Sequence, residues 1–167
     1  MKKILLIYFL SFHAISELTL EITQGTEDPY RVAIIKFSGG DKATTDIQKV
    51  IFDNLLRTGE FTIFNNEDLL SIPQIEEDIV FNDFKILDID FLVMGKIDDD
   101  GLNIAVEYQV FDISKAKKIR TSTVYGIPNK NRQLAHYVSD GIYQEITGIP
   151  GIASTKILYV TEDINFK

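Results

Sequence analysis

Apolar residues recur along the chain with two different periods, and each period names a kind of element. The period of two is clearest where Leu102, Ile104, Val106, Tyr108 and Val110 alternate with residues that include Asn103, Glu107 and Gln109. Such alternation sends successive side chains to opposite faces of a strand. The run Phe91-Leu92-Val93-Met94, continued by Gly95-Lys96-Ile97, precedes it, and residues 119–125 follow it. Asp98-Asp99-Asp100-Gly101 and residues 112–117 supply turns, so 91–125 is predicted as a three-stranded antiparallel meander. Near the start, Leu18, Leu20 and Ile22 alternate with Thr19, Glu21 and Thr23 as a short strand ending at Gln24-Gly25. Thr26-Glu27-Asp28-Pro29 breaks that pattern, and 30–37, with Val32-Ala33-Ile34-Ile35 inside it, reads as a buried strand. Residues 61–64 form a short strand, and Ile157-Leu158-Tyr159-Val160 a last one.

The helical period appears twice. Ile47, Val50, Ile51, Asn54 and Leu55 make one stripe, which predicts a helix over 44–58 with Thr44 or Thr45 as cap and Gly59 at its exit. Leu134, Tyr137, Val138, Gly141, Ile142 and Glu145 make the second, over 130–147. Asn129 or Asn131 can cap that helix, and Gly148-Ile149-Pro150-Gly151 stops it. Residues 65–90 are acidic and mixed, with short helical pieces expected near 67–70 and 84–87. The expected fold class is α+β: a mixed sheet of about five to six strands with two main amphipathic helices on one face.

The first residues read as an address rather than as structure. Met1-Lys2-Lys3 is basic, Ile4 opens an almost continuous apolar run to Phe12, and Ala14-Ile15-Ser16 places small residues before Glu17. Nine helical residues rise about 13.5 Å against a hydrocarbon core of about 30 Å, too little to span it. The reading is a signal peptide over 1–16, cleaved after Ser16, and a single domain over 17–167. No cysteine follows the apolar run, and no second long apolar stretch exists, so no membrane anchor is expected.

Composition narrows the function. The chain has 167 residues, 45% of them apolar and 25% charged, enough for one proper core. Its net charge of −8 argues against nucleic acid as a partner. With no cysteine, disulfides, thiol catalysis and thiolate metal sites are excluded. His13 and His136 are the only histidines, and His13 leaves with the signal segment.

The remaining candidates for chemistry are weak. Asp98-Asp99-Asp100-Gly101 resembles the start of a Ca²⁺ loop, but position five would be Leu102 and position twelve Gln109. A plain hairpin turn explains it better. Glu76-Glu77-Asp78 and the pair Asp88 and Asp90 are local acids, whereas acid–base catalysis needs carboxylates held across a cleft. Ser38-Gly39-Gly40-Asp41-Lys42 lacks the spacing of a phosphate loop. Lys115, Lys117, Lys118 and Arg120 suit a solvated sheet edge, and His136 a partly exposed helix position. No nucleophile has a base beside it. The residues therefore point to a secreted, non-enzymatic interaction module with no metal or cofactor. The competing reading is a secreted small-ligand-binding or enzymatic domain, which would show a pocket of convergent polar groups.

Several motifs together are more specific. Leu134-Ala135-His136-Tyr137-Val138-Ser139-Asp140, then Thr147-Gly148-Ile149-Pro150-Gly151, then Thr155-Lys156-Ile157-Leu158-Tyr159-Val160 resemble the end of the N-terminal domain of the TolB family. Asn54-Leu55-Leu56-Arg57-Thr58-Gly59-Glu60-Phe61, Ile89-Asp90-Phe91-Leu92-Val93-Met94-Gly95-Lys96-Ile97 and Tyr108-Gln109-Val110-Phe111-Asp112 agree in order. The resemblance implies a fold similar to anticodon-binding domains and a periplasmic place in the Tol–Pal system. That system serves outer-membrane integrity, constriction during cell division and colicin-type protein import. It also implies that Glu17, Leu18, Thr19, Leu20, Glu21, Ile22 and Thr23 form the segment that binds TolA. In the family a C-terminal β-propeller binds Pal; since this chain stops at Lys167, that propeller and its Pal contact are expected to be missing from it.

Overall fold

Among the residues that the computed structural model describes, 28–39 and 42–156, one five-stranded sheet organises everything else. The strands are β1 (Tyr30–Ile34), β2 (Phe61–Phe64), β3 (Phe91–Asp99), β4 (Ile104–Asp112) and β5 (Lys117–Gly126). The helices are α1 (Lys42–Arg57), α2 (Phe81–Ile86) and α3 (Asn131–Thr147). Spatial order is β2-β1-β3-β4-β5. β1 is parallel to both β2 and β3, and β3, β4 and β5 form the antiparallel meander. The α+β mixed sheet is thus as the sequence pattern predicts. The strands expected at 18–22 and 157–160, and the signal segment 1–16, lie outside the described residues.

The topology explains why both faces of the sheet are covered. From β1 the chain crosses through α1 to β2 on one side. From β2 it returns past β1 to β3 on the other side, through residues 65–90. Parallel crossovers are right-handed in nearly all folds, so two crossovers in opposite directions must lie on opposite faces. Strand alternation feeds both. Val32, Ile34, Val93, Ile97, Val106 and Val110 enter the core beneath α1 and α3. Ala33, Leu92, Met94 and Phe111 enter a second core with Phe84 and Ile89. The expectation of helices on one face alone is corrected here: α1 and α3 share a face, but α2 anchors the other.

Details of the element ends also differ from the pattern. β1 stops at Ile34 rather than at 37, although Ile35 N–H still donates to Val93 O at 3.0 Å. The chain then bends so that Phe37 covers Gly95, where a Cβ would come within 2.5 Å of the ring. Ser38 afterwards regains the sheet beside Lys96. The β3–β4 turn moves two residues on, because Asp98 and Asp99 still pair with Ala105 and Ile104. α1 begins at Lys42, which places Thr44 and Thr45 inside it rather than at its cap. Neither Asn129 nor Asn131 caps α3; a 3₁₀ turn, Pro128–Lys130, leads into it, and Lys130 sits at the cap without a side-chain bond. The helical pieces in 65–90 fall at Asn66–Asp68, Glu76–Asp78 and Phe81–Ile86.

α1 and α3 pack on each other as well as on the sheet. Ile47, Ile51 and Leu55 of α1 and Leu134, Val138 and Ile142 of α3 are essentially inaccessible. Each such side chain contributes about 1.5–3 kcal/mol by burial. Gly141 lets α3 close onto β4: a Cβ there would meet Tyr108 Oη at 2.1 Å. Gly148 ends the helix in the left-handed region, φ 76°, with its N–H on Gln144 O. No helix among the described residues is long and apolar enough to cross a membrane.

Candidate functional site

The segment predicted to bind a partner, 17–23, lies outside the described residues. The described chain opens at Asp28-Pro29, and Tyr30 N–H donates to Glu60 O at 2.8 Å. Tyr30 also meets Phe61 and Phe91, with ring centroids 6.0 and 5.8 Å away.

The acidic candidates are placed as turn and strand fittings. Asp99 Oδ1 accepts the Gly101 N–H, and Asp100 Oδ1 accepts those of Leu102 and Asn103 at 2.8 and 2.6 Å. Those backbone hydrogen bonds, from Asn103 first, hold the Asp100 carboxyl below its ordinary range. This is a hairpin turn stabilised by its own aspartates. Glu76 pairs with Lys118 across the structure. Asp90 joins β1, accepting Arg31 N–H on Oδ2 at 2.9 Å. Among the described residues, no group of three or more His, Cys, Asp or Glu side chains is placed to hold a metal ion.

Sequence spacing does not reveal that Asp28, Asp88, Asp90 and Asp112 rim one hollow of about 750 Å³ at the end of the sheet. Asp112 is the buried member. Burial pushes its carboxyl up, but the Lys115 ammonium, the Ser114 hydroxyl and the Lys115 N–H outweigh burial and hold it at about 2. Its oxygens accept from Lys115 Nζ at 2.7 Å and Ser114 Oγ at 2.6 Å. Three members of the basic cluster are paired with acids: Lys115 with its neighbour Asp112, and Lys118 and Arg120 with the distant Glu76 and Glu145.

A second concavity, about 820 Å³, lies between the end of α1, α3 and the strap 149–153 that follows α3. Thr147 Oγ1 accepts Ile149 N–H at 3.1 Å at the start of the strap, and Asp140 holds its far end. Asp140 Oδ1 accepts Ala153 N–H at 2.6 Å and Oδ2 accepts Ser154 N–H at 2.9 Å. Gly151 passes so close that a Cβ would stand 2.4 Å from Asp140 Oδ1. The strap presents Ile149 and Ile152, 57% and 75% exposed, which gives the groove one apolar wall. The opposite wall is polar. Tyr143 donates to both Glu60 oxygens at 3.0 Å, and burial together with that carboxylate raises the Tyr143 hydroxyl. Asn54 Nδ2 lies 2.8 Å from His136 Nδ1 and 2.9 Å from Ser139 Oγ. Ser139 Oγ donates to Ala135 O at 2.8 Å. Its proton is therefore committed to the helix backbone, and His136 faces an amide rather than the hydroxyl. Ser139 and His136 do not form a nucleophile–base pair. The signal that could have flagged this groove was the polar Asn54 within an otherwise apolar stripe.

Comparison with known proteins places the chain among relatives of one kind. The family model described as the TolB amino-terminal domain matches residues 18–119. The Tol-Pal system protein TolB of Alcanivorax borkumensis is 36% identical over 150 residues, which are 89% of this chain and 34% of that protein. The same-named protein of Alkalilimnicola ehrlichii is 33% identical over 144 residues, 84% of this chain and 34% of that protein. The crystal structure of TolB from Acinetobacter baumannii superposes with a TM-score of 0.67 at 28% identity, covering 80% of this chain and 32% of that one. The chain thus spans about a third of the length of the curated relatives it matches.

Proposed function

Because the chain belongs to the TolB amino-terminal domain family, we propose that it acts as a periplasmic protein–protein interaction module of the Tol–Pal envelope system. On this reading residues 1–16 are removed as a signal peptide and 17–167 form one domain. Residues 17–23 are the contact segment, and TolA is the partner. Outer-membrane integrity, constriction and protein import are the processes it serves. The observation that carries the proposal is the alternation of Leu18, Leu20 and Ile22 with Thr19, Glu21 and Thr23, set off from the folded domain by Gly25 and Pro29. Such a segment can add to a partner's sheet edge through main-chain hydrogen bonds.

Deleting 17–23 tests the assignment. The expected result is a domain that melts as before and no longer binds TolA in a pull-down or by calorimetry. Retained binding would overturn it. So would loss of several kcal/mol of stability, roughly what three buried aliphatic side chains contribute at ~1.5–3 kcal/mol each. Mass spectrometry of a periplasmic extract should find Glu17 as the first residue; an intact Met1 would remove the export step from the proposal.

A further inference from the structure

We propose that Asn54, His136 and Ser139 form a proton-reversible relay across the α1–α3 seam, in which the charge on His136 decides which atom of the Asn54 amide faces the groove. The argument is a count of hydrogens. Ser139 Oγ has one, and it goes to Ala135 O. Towards Asn54 that oxygen can then only accept, so Asn54 presents its NH₂ group. The same NH₂ group lies against His136 Nδ1. Nδ1 must therefore be the unprotonated nitrogen, with the imidazole proton on Nε2. Both amide hydrogens are used on this side, which leaves Oδ1 as the amide atom that Asn54 can offer to the groove it lines.

Protonating Nδ1 would set N–H against N–H. The heavy atoms can stay in place if the amide turns over. Asn54 Oδ1 then accepts from His136 Nδ1, and the Ser139 hydroxyl swings from Ala135 O to the same oxygen. Ala135 O keeps the N–H of its own helix turn. Every bond of the relay reverses, and the groove now sees Nδ2 in place of Oδ1: a donor where there was an acceptor. The charges acting on the imidazole come from both helices. Burial lowers His136 first, Arg132 of α3 and Arg57 at the end of α1 lower it further, and Asp140 of α3 opposes them. Glu60, the other acid of the groove, is engaged by Tyr143. Asp140 also holds the strap, so an imidazolium one helical turn away competes with the Ala153 and Ser154 N–H groups for its carboxylate.

Nitrogen-15 NMR of the full chain tests this, with His136→Gln used to tell His136 from His13. At pH 7.5 His136 should carry its proton on Nε2, and its titration midpoint should lie below the ordinary value of about 6.5. The Asn54 side-chain amide and the Ala153 and Ser154 backbone amides should shift with that same midpoint. Asn54→Asp supplies a group that only accepts, so the midpoint should rise by about one unit or more. A proton on Nδ1 at pH 7.5, Asn54 signals that ignore the His136 midpoint, or an unmoved midpoint in a folded Asn54→Asp protein would each overturn the relay. Should Asn54→Asp not fold, the wild-type tautomer and the Asn54 signals decide the matter.

Discussion

The two faces of the sheet draw on neighbouring residues of the same strands, yet they are closed in different ways. On one face α1 and α3, helices of 16 and 17 residues, cover the core and support each other. On the other, the irregular crossover 65–90 is held by a few anchors. Phe84 and Ile89 are its buried anchors in that core, with Leu69, Ile79, Phe81 and Leu87 partly covered around them. The same crossover leaves Leu70, Ile75, Val80 and Ile86 more than half exposed. A long amphipathic helix repeats its apolar contacts every turn, so losing one leaves neighbours in place. A loop with single anchors has no such redundancy, and segments of that kind open first.

The largest expected effect breaks the thin face. Phe84→Ala should cost the crossover about 3–5 kcal/mol. Limited proteolysis should then cut between residues 65 and 80 while amides of α1 and α3 stay protected from hydrogen exchange. Cleavage spread evenly over the chain would mean that the faces open as one unit and the contrast is false. Ile51→Ala, on the thick face, should cost about 2–5 kcal/mol. Its loss should appear in urea as one cooperative transition, with no new cleavage in 65–80.

A smaller effect sharpens the comparison through pH. Asp112 sits between Phe111 and Ile113, both in the second core. Its folded carboxyl is held at about 2, below the ordinary value of about 3.9. The folded state therefore binds the proton less well than the unfolded chain does. The resulting stability is complete above about pH 4 and is lost as pH falls towards 2. Asp112→Asn should remove this acid dependence and lower stability at pH 7 by about 1–3 kcal/mol. Thermal melts from pH 5 to pH 2 measure it; equal acid sensitivity in wild type and variant would assign the effect to other carboxylates.

Much of this molecule was legible because it depends on local spacing. Val106, Tyr108 and Val110 announce β4 by alternation, and the stripe from Ile47 to Leu55 announces α1, since both patterns follow from backbone geometry alone. The Gly148 helix stop and the Asp99 and Asp100 turn are equally local. Family-specific motifs, in turn, led to the family that the comparisons show. What the sequence left open needed residues far apart to meet. The handedness of two opposed crossovers put 65–90 on the second face, which no period within that segment encodes. The groove exists because Asp140 bonds to a strap 13 and 14 residues on. The relay joins Asn54 to His136 and Ser139 over 82 and 85 residues, and its direction rests on a single hydroxyl hydrogen. Spacing within one element determined the strands and helices; hydrogen bonds between elements, fixed only once the chain had closed on itself, decided where its polar groups converge.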